Sequence, residues 1–419
     1  MIKRSWKTLA AGLVLFGGVS GSQALLAGDV FTAGGDMQKC EKLFASPESD
    51  MTVQLASMSC LEQSCCAPAD CCAPVDCGEC GCGEGCGLYD DCEESLVNFG
   101  GWLQLGYHNN VVPLARRRND PDIGSFNDHP HRLNVHQAWL YAEKEADGSE
   151  GIDWGFRMDV MYGVDASDTS AFGNPDGSWD NGGRFQRGAG YGWAIPQLYA
   201  TLAAGDWSFK AGHFFTLVGY EVVTAPDNFF YSHALTMFNS EPFTHTGAIA
   251  TYSATENTSL YGGWTAGWDT GFDQVNGGST FLGGFSTSLT EKSTLSYITT
   301  IGNFGKRGGG QDGYSHSLVM DTAVTEKLNW VIQSDMVHIG TDRDFGINNY
   351  LIQKITDKIS TGVRAEWWRN DGRSQYAATY GINIKPTDNL IFRPEIRYDW
   401  KDPNRGAETT FGIDGILTF

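Results

Sequence analysis

The feature that most constrains the fold is a short turn that recurs at nearly constant spacing in the second half of the chain. Its clearest copy is Thr325-Glu326-Lys327-Leu328, and the leading threonines of the five copies are 35, 35, 31 and 31 residues apart. These threonines are Thr255, Thr290, Thr325, Thr356 and Thr387. Threonine can hydrogen-bond nearby backbone and so favours tight reversals. β-Branched and aromatic residues fill the flanking runs, so each period predicts a β-hairpin rather than a helical repeat.

Sixteen strand-like runs of this kind follow one another from Val97 to Phe419. They are 97–108, 131–144, 151–162, 191–203, 206–217, 243–254, 257–269, 278–290, 292–303, 312–324, 326–339, 346–356, 358–369, 374–386, 388–399 and 407–419. Short turns alternate with mostly longer loops that are richer in Gly, Asn and Asp. A soluble sandwich has no reason to place all its short turns at one end, whereas an outer-membrane barrel has short periplasmic turns and longer external loops. The pattern predicts an all-β, transmembrane antiparallel barrel of about 16 strands over residues 97–419.

Side chains alternate within the runs. Arg364 and Glu366 face away from Val363 and Trp367, and other runs repeat this pattern. Such alternation fits a soluble sheet or a barrel, in which the apolar face meets lipid and the charged face meets a wet lumen. Strand lengths near the roughly 9–11 residues of a tilted spanning strand favour the barrel. Tryptophans near the strand ends predict interfacial girdles. They are Trp102, Trp139, Trp207, Trp264, Trp268, Trp330, Trp367 and Trp400.

Residues 1–24 have the pattern of a secretory signal peptide. Lys3, Arg4 and Lys7 precede an apolar segment at 9–19, and a small-x-small cleavage site ends at Ala24. A retained anchor is the alternative, but the apolar segment is too short for a membrane helix. Cleavage would remove three cations and no acid, so the formal charge of −21 would become −24.

Residues 25–96 form a separate Cys-rich segment that contains all 11 cysteines of the chain. Few large apolar residues accompany them, so we expect a largely irregular periplasmic segment without its own core. Disulfides are the expected use of cysteine in an exported protein, and a metal site is the alternative. The disulfide candidates are Cys65, Cys66, Cys71, Cys72, Cys77, Cys80, Cys82 and Cys86.

Several segments between 97 and 419 resemble the outer-membrane beta-barrel porin-2 (OmpL-like) family. They are 210–214, 219–221, 228–232 and 263–269. The resemblance implies a water-filled outer-membrane channel for passive diffusion of small hydrophilic solutes or ions. A barrel of 16 strands is wide enough for such a channel. The Cys-rich leader lies outside this resemblance and is similar to leaders of planctomycete cell-envelope proteins.

The loop at 218–242 is the candidate pore constriction, because general porins fold the loop in this position inward. Packing over the mouth or onto a neighbouring subunit is the alternative. The candidate loop residues are Glu221, Asp227, Phe229, Phe230, Tyr231 and Glu241. The candidate pore-wall residues are Arg157, Lys210, Arg364, Glu366, Arg393, Glu395 and Arg397. The candidate assembly signal on the last strand is Phe411, Ile413, Leu417 and Phe419.

The sequence gives no sign of an enzyme. The serine-hydrolase elbow and the zinc-protease helix motif are both absent, and we expect no catalytic residues, cofactor or metal. The net negative charge disfavours nucleic-acid binding. The expected partners are outer-membrane lipid, small hydrophilic solutes and the barrel assembly machinery, with a homotrimer as the candidate assembly. A structural barrel that anchors a disulfide-linked Cys-rich segment to the envelope is the alternative function.

Overall fold

A computed structural model describes residues 96–110, 126–127, 129–173, 179–180, 190–401 and 407–419. Sixteen strands make up most of this part. They are β1 Asn98–His108, β2 Leu133–Lys144, β3 Ile152–Gly163, β4 Gly192–Ala204, β5 Trp207–Phe215, β6 Thr244–Thr255, β7 Thr258–Thr265, β8 Ser279–Thr290, β9 Ser293–Asn303, β10 Asp312–Ala323, β11 Leu328–Ile339, β12 Asp342–Lys354, β13 Ile359–Asn370, β14 Arg373–Thr387, β15 Leu390–Lys401 and β16 Ala407–Thr418. Two short α-helices lie in loops, α1 at Ala166–Thr169 and α2 at Leu235–Asn239, and a 3-10 turn spans Ala225–Asp227.

The strands form one closed antiparallel barrel in which each strand pairs with its neighbours in the chain and β1 pairs with β16. Closure leaves no unpaired sheet edge. The predicted fold class is therefore confirmed, and most strand ends lie within two residues of the predicted ones. Two ends differ by four residues. β7 ends at Thr265 rather than 269, and β12 begins at Asp342 rather than 346, because only Gly340 and Thr341 separate it from β11. Gly340 adopts a φ of 57°, which permits this tight turn.

The two faces of the wall have opposite polarity, as the alternation predicts for a barrel. Val363 and Ile396 are 44% and 49% exposed, whereas Arg364 and Arg397 are 0% exposed. The charged face therefore points into the barrel and the apolar face points outward, where lipid would surround it. No helix among the described residues is long and apolar enough to cross a membrane.

The girdle prediction is wrong for three tryptophans. Trp102, Trp139 and Trp268 are buried inside the barrel, with exposures of 6%, 1% and 1%. The Trp102 and Trp139 rings stack at 4.6 Å, and the Trp102 indole nitrogen donates to Gln137 Oε1 at 2.9 Å. Each indole has a polar partner in the lumen, so these residues pack the interior instead of marking the membrane interface. Trp207 and Trp264, in contrast, are exposed on the outer face.

The last strand closes the barrel. Gly101 and Phe419 exchange two backbone hydrogen bonds, each 2.9 Å long. All four residues of the candidate assembly signal have exposed side chains on the outer face of β16. The predicted signal peptide, the Cys-rich segment up to residue 95 and the eight disulfide candidates lie outside the described residues.

Candidate functional site

The loop between β5 and β6, residues 216–243, is called the inner loop below. Most of its contacts with the wall run over eight consecutive strands of the closed barrel, from β11 through β16 to β1 and β2. Leu217 and Val218, at its start, belong to an apolar cluster that also contains residues of β4, β6, β8 and β9. A single loop can reach the same face of so many strands in a closed barrel only from the lumen. The inner loop therefore lies inside the barrel, mainly against the half formed by β11 to β2, which we call the docked half.

Arg364 of β13 holds the centre of the inner loop. Its guanidinium donates to Ser232 O at 2.6 Å, to Ser232 Oγ at 3.0 Å and to Glu221 Oε1 at 2.7 Å. It also donates to Glu366 Oε1 on its own strand at 2.6 Å. The five donors of an arginine can satisfy carbonyl and carboxylate groups together, which an irregular buried segment requires.

Two arginines of β15 hold other carbonyls of the loop. Arg393 donates to Ala225 O at 2.8 Å and to Asn228 O at 2.6 Å, and it pairs with Asp414. Arg397 donates to His233 O at 2.8 Å. Charged donors give short, strong hydrogen bonds. Because these bonds go to main-chain atoms, they fix the path of the loop rather than the identity of its side chains.

Carboxylates of the wall bind backbone N–H groups of the same loop. Glu395 accepts from Tyr231 N at 2.9 Å and from Ser232 N at 3.1 Å, and Glu366 accepts from Leu235 N at 2.7 Å. Arginines of the wall thus donate hydrogen bonds to loop carbonyl groups, and carboxylates of the wall accept hydrogen bonds from loop N–H groups. This pattern gives several buried backbone groups of the loop a hydrogen-bond partner, which an irregular buried segment needs.

Glu221 is the loop carboxylate that joins this network. Burial alone would raise its pKa, but the charge of Arg364, together with His233 and the Ala234 N–H, lowers the pKa of Glu221 to about 2. Ala234 N donates to Glu221 Oε2 at 2.7 Å. The ion pair therefore persists throughout the neutral pH range.

Five strand glycines lie directly beneath side chains of the inner loop, where a Cβ would overlap the loop. They are Gly106, Gly346, Gly362, Gly381 and Gly412. At Gly412 a Cβ would lie 2.8 Å from Tyr231 Cδ1, and at Gly106 it would lie 2.5 Å from Tyr231 Oη. Tyr231 Oη in turn lies 2.6 Å from His136 Nε2, which limits its movement. The glycines form shallow sites into which the loop side chains fit closely.

The C-terminal part of the inner loop has a different kind of contact. Gln333 Nε2 of β11 donates to Glu241 Oε1 at 2.7 Å and to Asp335 Oδ2 at 2.6 Å. In the described residues, no lysine or arginine side chain forms a salt bridge with either carboxyl. Burial, reinforced by the nearby Asp335, raises the pKa of Glu241 well above its ordinary value. Burial therefore favours the protonated form of Glu241.

The loop between β9 and β10, at the long-loop end of the barrel, contacts the C-terminal part of the inner loop. Arg307, between β9 and β10, pairs with Asp269 at 2.6 Å and donates to Phe238 O and Glu241 O, both at 3.2 Å. Sequence reasoning missed Arg307, Gln137, Gln333 and Asn348. A basic residue in a Gly-rich loop was the only available signal for Arg307, and alternation placed the others inward without indicating a partner.

The other half of the wall, β3 to β10, is called the open half. It lines a cavity of about 240 Å³. Hydroxyl groups on β5, β6, β8 and β9 face this cavity, together with Tyr199, Tyr261 and apolar side chains of the wall such as Phe214 and Ile298. Residues 216–224 and 241–243 of the inner loop also line it. Two predicted wall residues are also there. Lys210 Nζ lies 4.2 Å from the centre of the Tyr199 ring, and Arg157 pairs with Glu143 and Asp159.

The predicted site residues are thus only partly arranged as expected. We expected three loop acids to approach the arginines of β13 and β15, and Glu221 does so by pairing with Arg364. Asp227 is exposed near the cavity, and Glu241 contacts Gln333. The arginines themselves are buried under the loop, because its carbonyl groups need donors. Among the described residues, no group of three or more His, Cys, Asp or Glu could hold a metal ion.

The closed barrel with a loop inside it defines the class of outer-membrane barrels that form channels. The sequence matches the profile of the beta-barrel porin-2, OmpL-like, family over residues 96–419. The chain belongs to this family and is a porin-type channel of the outer membrane. The family and the fold indicate a channel rather than an enzyme.

Solved structures of other porins have the same fold. The outer-membrane channel DcaP of Acinetobacter baumannii is 12% identical, with a TM-score of 0.53 over 77% of this chain and 97% of that chain. A variant of the Rh. blastica porin is also 12% identical, with a TM-score of 0.50 over 77% of this chain and 100% of that chain. No curated protein sequence matches this chain.

Proposed function

We propose that the barrel is a water-filled pore for passive diffusion of small hydrophilic solutes or ions, with its constriction between the inner loop and the open half. The observation that carries this proposal is the division of the lumen. One half of the wall binds the loop, and the other half lines the cavity. A barrel of 16 strands leaves an aqueous channel that wall side chains cannot fill, so the loop sets the narrowest section.

Polar groups around the cavity support passage of hydrophilic solutes. Ser208, Thr251, Ser286 and Ser296 bring hydroxyl groups to its surface, and these groups can replace water around a passing solute. Five ionisable side chains are among the residues that line the cavity: Arg157, Lys210, Glu221, Asp227 and Glu241. This arrangement fits a weakly binding pore, because a solute must be able to leave as well as enter.

The test is a conductance measurement with purified, refolded protein in a planar lipid bilayer. We expect discrete, ohmic steps, and we expect liposomes that contain the protein to swell in small sugars more quickly than in large ones. A correctly folded barrel that gives neither steps nor swelling would refute the channel proposal and would favour a structural anchor.

Further proposals concern export and assembly. We propose that residues 1–24 are a cleaved signal peptide and that residues 25–96 form a periplasmic, disulfide-linked segment. We also propose that Phe411, Ile413, Leu417 and Phe419 are recognised by the barrel assembly machinery and that the protein forms a homotrimer in outer-membrane lipid. The exposed side chains on β16 support the assembly signal, and comparison of non-reduced and reduced full-length protein tests the disulfides.

A further inference from the structure

Around the docked inner loop, carboxylates outnumber the arginines with which they can pair. Arg364 and Arg397 share Glu366, and they also pair with Glu221 and Asp399 respectively. Two guanidinium groups therefore meet three carboxylates. Glu395 adds a fourth, and its contacts are the backbone amides described above. The carboxylates neutralise the charges of these two arginines, and an excess of negative charge remains.

The open half does not offset this excess. Arg157 meets two carboxylates, Glu143 at 2.9 Å and Asp159 at 2.8 Å. Lys210 brings a positive charge to the cavity, whereas Asp321 of β10 is a buried acid. The exposed Asp227 adds a negative charge on the loop side.

Between the two ends of the barrel, the described lumenal face and inner loop carry at least ten acidic side chains, without Glu241, against five cationic side chains. The carboxylates are Glu143, Asp159, Glu221, Asp227, Asp321, Asp335, Glu366, Glu395, Asp399 and Asp414. The cationic side chains are Arg157, Lys210, Arg364, Arg393 and Arg397. Acidic side chains therefore outnumber cationic ones by at least five in this described part of the lumen.

We propose that the pore conducts small cations in preference to anions. This inference rests on the proposed channel function. Charges of one sign around a cleft with low-dielectric walls concentrate counter-ions within it. The four arginines, which from sequence suggested a basic wall, are outnumbered by the carboxylates with which they pair.

The test is the reversal potential of single channels in a tenfold gradient of KCl. The expected sign is that of a K⁺-selective pore. Removing one unit charge that lies about 8 Å from a passing ion changes the local ion concentration about twofold in water. Asp227→Asn should therefore lower the ratio of K⁺ to Cl⁻ permeability about twofold or more, and Lys210→Met should raise it by a similar factor.

Glu326→Gln is the matched control, because Glu326 is exposed in a short turn outside the lumen. Its effect should be negligible, since salt at 0.1 M screens exposed charges beyond about 10 Å. Channels that open normally but reverse at the anion-selective potential would overturn the inference and leave the channel function intact. The inference would also be overturned if Asp227→Asn and Lys210→Met moved the ratio in the same direction or left it unchanged. Absence of conductance would instead refute the channel function itself.

Discussion

Replacement of Arg364 by alanine should release the centre of the inner loop from the wall. Arg364 is fully buried and makes five polar contacts, to Glu221, to Glu366, to two atoms of Ser232 and to Thr379. Removing one partner of a buried ion pair costs about 3–5 kcal/mol, because a carboxylate is left buried without its counter-charge. The equilibrium between docked and released loop should shift by a factor on the order of 10² to 10³.

Limited proteolysis measures this release. Phe230 and Tyr231 are buried in the docked loop, with exposures of 3% and 2%, so chymotrypsin should cut there only after release. Arg364→Ala should therefore be cleaved much faster than the unmodified protein, while the barrel remains resistant. Arg373→Ala is the control, because Arg373 is exposed at the long-loop end of β14 and its loss should change little.

A double variant tests the reason for the release. Arg364→Met with Glu221→Gln removes both charges, and replacing a buried ion pair by uncharged groups is often close to neutral. We expect this double variant to be cleaved more slowly than Arg364→Ala, even though it differs from the native chain at one more position. Cleavage of Arg364→Ala at the native rate would refute the account of loop docking, and so would strictly additive effects of the two single changes.

Three further predictions concern other parts of the molecule. Gly412→Ala should destabilise the docked loop by about 1–3 kcal/mol through overpacking and raise open-channel noise. Gly262→Ala should have no effect, because the atom nearest to a Cβ there is Phe281 Cε2 at 4.0 Å, an ordinary contact distance. Because burial keeps the folded pKa of Glu241 above the unfolded value, loop docking should weaken as pH rises, and Glu241→Gln should remove that part of the pH dependence measured by proteolysis. An epitope tag at Asp371 should be labelled on intact cells and a tag at Glu326 should not, because long loops face outward in this class; the reverse pattern would refute this orientation.

The sequence predicted the barrel because its signal is local. Each hairpin has a turn at regular spacing, and each strand alternates between polar and apolar residues, so neither inference needs knowledge of distant contacts. The girdle prediction failed for tryptophans that were assigned by their position near a strand end. The alternation of polar and apolar residues along the strand was not used for them. Trp102 shares the face of Gln104 and His108, which indicated the lumen, yet its place near a strand end suggested a girdle.

The site was only partly predictable, because its pairings join residues far apart in the chain. Arg364 and Ser232 are 132 residues apart, and Arg393 and Ala225 are 168 apart. Alternation identified the inward arginines and composition identified the loop, but neither indicates which donor meets which acceptor. Gln137 and Gln333 resemble ordinary lumenal polar residues until the loop is placed against them.

The central claim is that the inner loop narrows the pore, and the most direct test is the conductance of a variant without it. Residues 222–239 can be replaced by a short Gly-Ser linker, because Gly219 and Glu241 lie side by side, with a Cβ at Gly219 falling 1.8 Å from Glu241 Oε2. The strands should remain paired, since their hydrogen bonds do not involve the loop. We predict a clearly higher single-channel conductance and a larger solute size limit. A folded variant with the native conductance would contradict the account, because the narrowest section would then lie elsewhere.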